Sequence, residues 1–173
     1  YGYYAYKSAD DIIVNDNEIT IENNGTNYGI YNYGYQSQVD ADLQMNGNTI
    51  KVTHNNPSRY YQQYGINNYI YYSRNLDALN IDDNKIQMIS NRYAYGIRNY
   101  AGYLTGLVKN GSVANNQIDL HTGYYTYGIY HYTYGASKGI DVTHNTIHNT
   151  EAPGVTPTGR AYLIYNYYNQ GDL

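Results

Sequence analysis

Apolar and polar residues along this chain alternate with a period of two, in short bursts separated by polar turns. The clearest bursts are "EITIE" at 18–22, "TIKVT" at 49–53, "KIQM" at 85–88, "QIDL" at 117–120 and "TIHN" at 146–149. Alternation of this kind predicts short half-buried strands, not helices. Each burst closes a larger block: an alternating stretch, a two-residue polar turn, an Asn, one variable residue and an Ile. The five blocks read "IIVNDNEITI", "LQMNGNTIKV", "LNIDDNKIQM", "GSVANNQIDL" and "IDVTHNTIHN". Their Asn column is Asn17, Asn48, Asn84, Asn116 and Asn145, and the Ile column two residues on is Ile19, Ile50, Ile86, Ile118 and Ile147.

Between the blocks a second motif recurs, as "YGIYNY" at 28–33, "YGIYHY" at 127–132 and "YLIYNY" at 162–167. With Tyr1, Tyr28, Tyr64, Tyr95, Tyr127 and Tyr162 as first positions, six copies follow at spacings of 27, 36, 31, 32 and 35 residues. The third position holds Tyr3 in the first copy and then Ile30, Ile66, Ile97, Ile129 and Ile164. The sixth is Tyr6, Tyr33, Tyr69, Tyr100, Tyr132 and Tyr167. Each repeat therefore contains three strands: the Tyr-Gly-Ile segment, one ending at Val14, Met45, Ile81, Val113 or Val142, and one carrying the Ile column. A unit this small cannot bury its apolar side alone, so the copies must stack, like strand on like strand, about 4.8 Å apart. Such stacking places identical residues above one another, which accounts for the recurring hexapeptide.

This pattern resembles the right-handed parallel β-helix of pectate lyases, phage tailspikes and bacterial autotransporter passenger domains. The resemblance spans essentially the whole chain. It implies an all-β right-handed solenoid of about five coils of three short strands, with the Asn column stacked as a hydrogen-bonded ladder at the turn between strands two and three. Asn suits that position because it tolerates left-handed backbone and carries both a donor and an acceptor. Residues 1–173 are expected to form a single β-helix segment, mature or excised, belonging to a longer repeat protein or to a filament.

Alternation sets the expected faces of the Tyr-Gly-Ile strand. With Ile30 inward, Tyr28 also points inward, and Gly29, Tyr31 and Tyr33 point outward. The fourth position varies as Tyr4, Tyr31, Asn67, Arg98, Tyr130 and Tyr165, as a solvated column does. The fifth, Ala5 followed by Asn32, Asn68, Asn99, His131 and Asn166, suggests a second Asn ladder that breaks the alternation at a bend. In that case the column of Tyr33 can face either way. The candidate contact face comprises Tyr4, Tyr31, Tyr33, Tyr69, Arg98, Tyr100, Tyr130, Tyr132, Tyr165 and Tyr167. It is read as a stacking platform or an adhesive patch, against the simpler alternative that the rings only shield the sheet.

Composition narrows the chemistry. The net charge of −4 leaves no basic footprint for nucleic acid, and no apolar run is long enough to span a bilayer. Without Cys there are neither disulfides nor thiolate metal sites, so secretion requires stability from something other than cross-links, which a repeated hydrogen-bond ladder can supply. The 28 Tyr, beside no Phe or Trp, give the apolar area that a disordered chain of this hydropathy lacks. His144 and His148 straddle a strand, and His148 falls in the column of Asp119, but no third partner is visible. His54, His121 and His131 form no motif. The pairs Asp10 with Asp11, Asp40 with Asp42, and Asp82 with Asp83 lie in different columns, whereas glycoside chemistry needs two carboxylates about 5–9 Å apart. Arg160, in "GVTPTGR" at 154–160, is a candidate for an acidic sugar. No catalytic residue, metal ligand or cofactor is expected.

Three functional readings follow. The first is a secreted structural or adhesive segment of an extracellular fibre or passenger-type adhesin, at the cell surface or beyond it. Its partners are further coils, copies of itself, glycans, or a host or matrix surface. The second is a pectin-lyase-like polysaccharide lyase or hydrolase, and the third is a glycan-binding module without catalysis.

Overall fold

A computed structural model of the chain describes residues 2–6, 11–35, 41–54, 61–71, 76–104, 108–135, 140–151 and 159–169. They form three parallel sheets. The first is β1 (Gly2–Tyr6), β4 (Asn27–Tyr35), β7 (Gln62–Tyr71), β10 (Tyr93–Leu104), β13 (Thr126–Gly135) and β16 (Ala161–Asn169). The second is β2 (Ile12–Ile13), β5 (Ala41–Gln44), β8 (Leu76–Asn80), β11 (Val108–Ala114) and β14 (Ile140–Thr143). The third is β3 (Glu18–Glu22), β6 (Thr49–His54), β9 (Lys85–Ser90), β12 (Gln117–Thr122) and β15 (Thr146–Glu151). Every third strand pairs in parallel with the equivalent strand of the next coil. The molecule is thus an all-β parallel solenoid with three strands per coil, stacked through four coil-to-coil steps, and β16 adds a further strand to the first sheet.

Register is like on like, as the repeat requires. Ile30 pairs with Ile66, Ile66 with Ile97, Ile97 with Ile129, and Ile129 with Ile164. The five Ile of the third sheet stack in the same way. The first copy departs from the alignment made on sequence: Tyr3 lies beside Asn32, Tyr4 beside Tyr33 and Tyr6 beside Tyr35, a displacement of two residues. The cause is the degeneracy of "YGYYAY", which stacks tyrosine on tyrosine in either register. The observed one also sets small Ala5 beside Gly34. Tyr1 lies outside the described residues.

The core is built from these columns. Ile66, Ile97 and Ile129 from the first sheet, Leu79 from the second and Ile118 from the third are fully buried together with Met45, Val52, Ile81, Met88 and Val113. Burying each such side chain contributes roughly 1.5–3 kcal/mol relative to exposure. The glycines of the Tyr-Gly-Ile motif face this core: a Cβ on Gly96 would lie 2.5 Å from Ile118 Cγ2 and 2.6 Å from the Gly128 carbonyl oxygen. Only a residue without a side chain lets sheet one approach sheet three this closely.

The turn between the second and third strands has a fixed construction. One residue per coil adopts positive φ: Asp16 (56°), Gly47 (67°), Asp83 (58°), Asn115 (55°) and His144 (54°). The left-handed residue is thus the one before the Asn, and the Asn has another role. Asn48 Nδ2 donates to Asn84 Oδ1 (3.0 Å), Asn84 Nδ2 to Asn116 Oδ1 (3.0 Å) and Asn116 Nδ2 to Asn145 Oδ1 (2.9 Å). Each amide also donates to a carbonyl of the preceding coil, such as Asn84 Nδ2 to Met45 O (2.8 Å), while each Oδ1 accepts a backbone N–H, such as Asn48 N to Asn84 Oδ1 (2.9 Å). The ladder joins coil to coil through side chain and main chain at once.

Candidate functional site

Sheet one carries the chemistry, and its faces are set by a break in alternation. Gly29 and Ile30 both point inward, Gly29 against Ile50 and Ile30 into the core. The strand bends between them. Tyr28 is therefore thrown outward, at 36% exposure, instead of inward as strict alternation predicts. Beyond the bend the alternation resumes. Tyr31 and Tyr33 face out, while Asn32, Asn68, Asn99 and His131 are buried as an inner row. In that row Asn32 Nδ2 donates to Asn68 Oδ1 and Asn68 Nδ2 to Asn99 Oδ1, both at 2.8 Å, and Asn99 Nδ2 donates to His131 Nδ1 at 3.0 Å. The second ladder exists, and it leaves Tyr33 on the outer face.

Three columns result on that face. Tyr28, Tyr64, Tyr95, Tyr127 and Tyr162 form one continuous stack, with ring centroids 4.8, 4.9, 4.9 and 5.1 Å apart. Tyr33, Tyr69, Tyr100, Tyr132 and Tyr167 form another, at 5.3, 4.6, 4.6 and 5.0 Å. Between them runs a mixed column of Tyr31, Asn67, Arg98, Tyr130 and Tyr165 in register. The first stack was not among the residues expected from sequence. Its signal was the glycine that follows the tyrosine in four of these copies, since a strand with consecutive inward Gly and Ile must turn the preceding residue out. The side chain of Tyr4 lies outside the described residues, and the backbone of Tyr4 sits in the column of Tyr33.

Arg98 occupies the middle of the face. Its guanidinium carbon lies 5.6 Å from the ring centroid of Tyr100, 5.7 Å from Tyr69, and 6.0 Å from both Tyr64 and Tyr130. One N–H donates to Asn67 Oδ1 at 3.3 Å. Burial holds the Tyr130 hydroxyl above its usual value, so it is neutral at ordinary pH. Burial pushes the Tyr64 hydroxyl well above its usual value against the opposing pull of Arg98, and burial followed by the nearby Tyr95 and Tyr162 pushes Tyr127 up to about 12.

The other candidate residues do not converge. His148 Nδ1 lies 3.1 Å from Asp119 Oδ1 on an exposed strand face, and among the described residues no three His, Asp or Glu cluster as metal ligands. His121 pairs with Thr150 (2.5 Å), and His54 is buried with Nδ1 3.1 Å from Asn23 O. Asp82 is spent on the solenoid itself, accepting from Ala114 N at 2.8 Å and from Ser112 Oγ at 2.5 Å. Asp11 Oδ1 accepts from Asp42 N at 2.9 Å. Asp10, Asp40 and residues 154–158 lie outside the described residues, and Arg160 is exposed beside Tyr162. A shallow hollow on the outer face of sheet three is lined by Glu18, Lys51, Lys85 and Asp119, whose charges balance. No protein-family model, curated protein or solved structure matches this chain.

Proposed function

We propose that the chain is a segment of a secreted structural or adhesive solenoid, and that the tyrosine face of sheet one is its contact surface for glycans or for a host or matrix surface. The observation that carries this reading is the pair of uninterrupted five-ring stacks flanking Arg98 on one side of a rigid sheet. Tyrosine presents a flat apolar ring and a hydroxyl on the same side chain, which suits contact with ligands that are apolar on one face and hydroxylated at the edge. Tyr28 and Tyr167 are exposed, the other rings of the two stacks are partly exposed except the buried Tyr64, and an aromatic patch of this kind favours an interaction surface. Coil-on-coil contact with a second copy belongs to the same reading, and the half-exposed Leu163 and Ile164 of β16 would supply its apolar part.

Replacing Tyr31 and Tyr130 together by Ser tests the face. Both rings sit in the middle column, where Tyr130 stacks on Tyr165 at 5.1 Å and Tyr31 lies 4.9 Å from Tyr28, so their loss opens the surface without touching the core. Retention on immobilised polysaccharides and matrix-coated surfaces is expected to fall at least about fivefold, the scale of losing two aromatic contacts of about 0.5–1.5 kcal/mol each. The circular dichroism spectrum should keep its strand signature. Undiminished retention by the folded double variant would reduce the rings to a cover for the sheet.

A further inference from the structure

We propose that the slot around Arg98 is a subsite for an anionic saccharide, with sugar rings lying against the tyrosine stacks and a carboxylate or sulfate on the guanidinium; this rests on the reading of the face as a glycan-contact surface. The six strands of sheet one contain no Asp, Glu or Lys and a single Arg. In a chain of net charge −4, this one face is therefore formally positive, and by one charge only. Among the described residues no carboxylate meets that charge.

The slot is formed by an interruption. The middle column carries a ring at Tyr31 and again at Tyr130, but Asn67 and Arg98 stand between them. The two rings are three strand spacings apart, about 14 Å at about 4.8 Å per strand. Tyr64 flanks the guanidinium on one side and Tyr69 and Tyr100 on the other, with Tyr130 at one end. Below lies Asn67, only 3% exposed, holding one guanidinium N–H. Four rings surround the guanidinium within 6.0 Å and Asn67 holds one of its N–H groups. Arg carries five N–H donors in a fork that matches a carboxylate or sulfate, so a held fork is oriented before the ligand arrives. The predominantly acidic remainder of the molecule gives polyanions no diffuse attraction, which favours one site over general adhesion.

The test is direct binding by the full chain to four probes of matched length: oligogalacturonate, sulfated dextran, neutral dextran and polyglutamate. At least one of the two anionic saccharides is expected to bind at least about tenfold more tightly than neutral dextran, as charge-assisted hydrogen bonds predict, and more tightly than polyglutamate. Arg98→Gln should erase that preference; Arg98→Lys, which keeps the charge and loses the fork, should retain part of it and serves if the Gln variant fails to fold. The oligogalacturonate and sulfated-dextran arms tell a carboxylate ligand from a sulfated one. If neutral and anionic saccharides bind equally, or the anionic preference survives both substitutions, the subsite is overturned while the glycan-contact face stands. Polyglutamate binding as tightly as the anionic sugars also overturns it, because charge would then suffice without the rings. Failure of the wild-type chain to bind any saccharide would remove the subsite together with the glycan reading beneath it.

Discussion

The turn row of Asn48, Asn84 and Asn116 and the inner row of Asn32, Asn68 and Asn99 stack the same side chain at the same coil spacing, yet they are wired differently. In the turn row every amide engages the main chain of the preceding coil as well as the neighbouring amides. Asn84 Oδ1 accepts from Asn48 N and Nδ2, and Asn84 Nδ2 donates to Met45 O and Asn116 Oδ1. In the inner row the bonds run from side chain to side chain alone. That row also tolerates irregularity: it continues into His131, and Asn32 Oδ1, at its acceptor end, is buried with no partner among the described residues. A turn that leaves main-chain groups pointing inward needs one particular side chain to satisfy them, whereas a row that pairs only with itself can change its members.

Substitution at the centre of each row should expose that difference most strongly. Asn84→Ala leaves the buried Asn48 backbone N–H without its acceptor and the buried Met45 O without its side-chain donor, while Asn48 Nδ2 keeps Val14 O at 2.8 Å and Asn46 O at 3.2 Å. A loss of about 3 kcal/mol or more is expected, since each unsatisfied buried group costs about 1–3 kcal/mol. Asn99→Ala strands only Asn68 Nδ2 and His131 Nδ1, for an expected loss of about 2 kcal/mol. Urea denaturation of the two variants side by side gives the ranking. Equal losses would mean that the main-chain bonds of the turn row add nothing beyond those between amides.

His131 sharpens the comparison through pH. Burial pushes its imidazole down to about 4 from an ordinary 6.5, and its Nδ1 accepts a hydrogen bond from Asn99, which requires the neutral ring. The folded state therefore binds the proton less readily than the unfolded chain. Stability from this group is complete above about pH 6.5 and is lost progressively as pH falls from there to about 4, by an amount on the order of 3 kcal/mol. His131→Asn, which restores the residue of the neighbouring coils, should remove that part of the acid dependence. The difference between wild type and variant in urea midpoint, followed from pH 7 to pH 4, isolates it from the carboxylates. Parallel curves would show that the row accommodates a protonated ring.

The columns were readable from sequence where a parallel stack demands the same residue in every coil. Asn84 and Ile86 were located with their equivalents because both lie where neighbouring copies have no freedom. Three features escaped for physical reasons. The left-handed position is exposed and accepts Asp, Gly, Asn or His, so it shows no column, and its conformation was credited to the Asn that follows it. The bend at Gly29 and Ile30 defeats a rule of strict alternation, which hid the stack of Tyr28, Tyr64 and Tyr95. The first copy is too rich in tyrosine for its register to be unique. Arg98 was visible as an oddity in a variable column, but its isolation from carboxylates and its four-ring surround needed three adjacent strands of sheet one in place.

The smallest expected effect lies at an exposed rung of the turn row. Asn17 Nδ2 donates to Asn48 Oδ1 at 3.0 Å and to the exposed Asn15 O at 2.9 Å, and its backbone N–H also reaches Asn48 Oδ1 at 3.0 Å. In Asn17→Ala that backbone bond remains, so Asn48 Oδ1 keeps a donor, and water can take over at Asn15 O. The loss should stay below about 1 kcal/mol, the net worth of one solvent-accessible hydrogen bond. The substitution is the same as at Asn84, but the stranded groups are fewer and open to water. A loss at Asn17 matching that at Asn84 in the same urea series would show that the row stabilises through cooperation along its length and not through the groups each rung keeps from water.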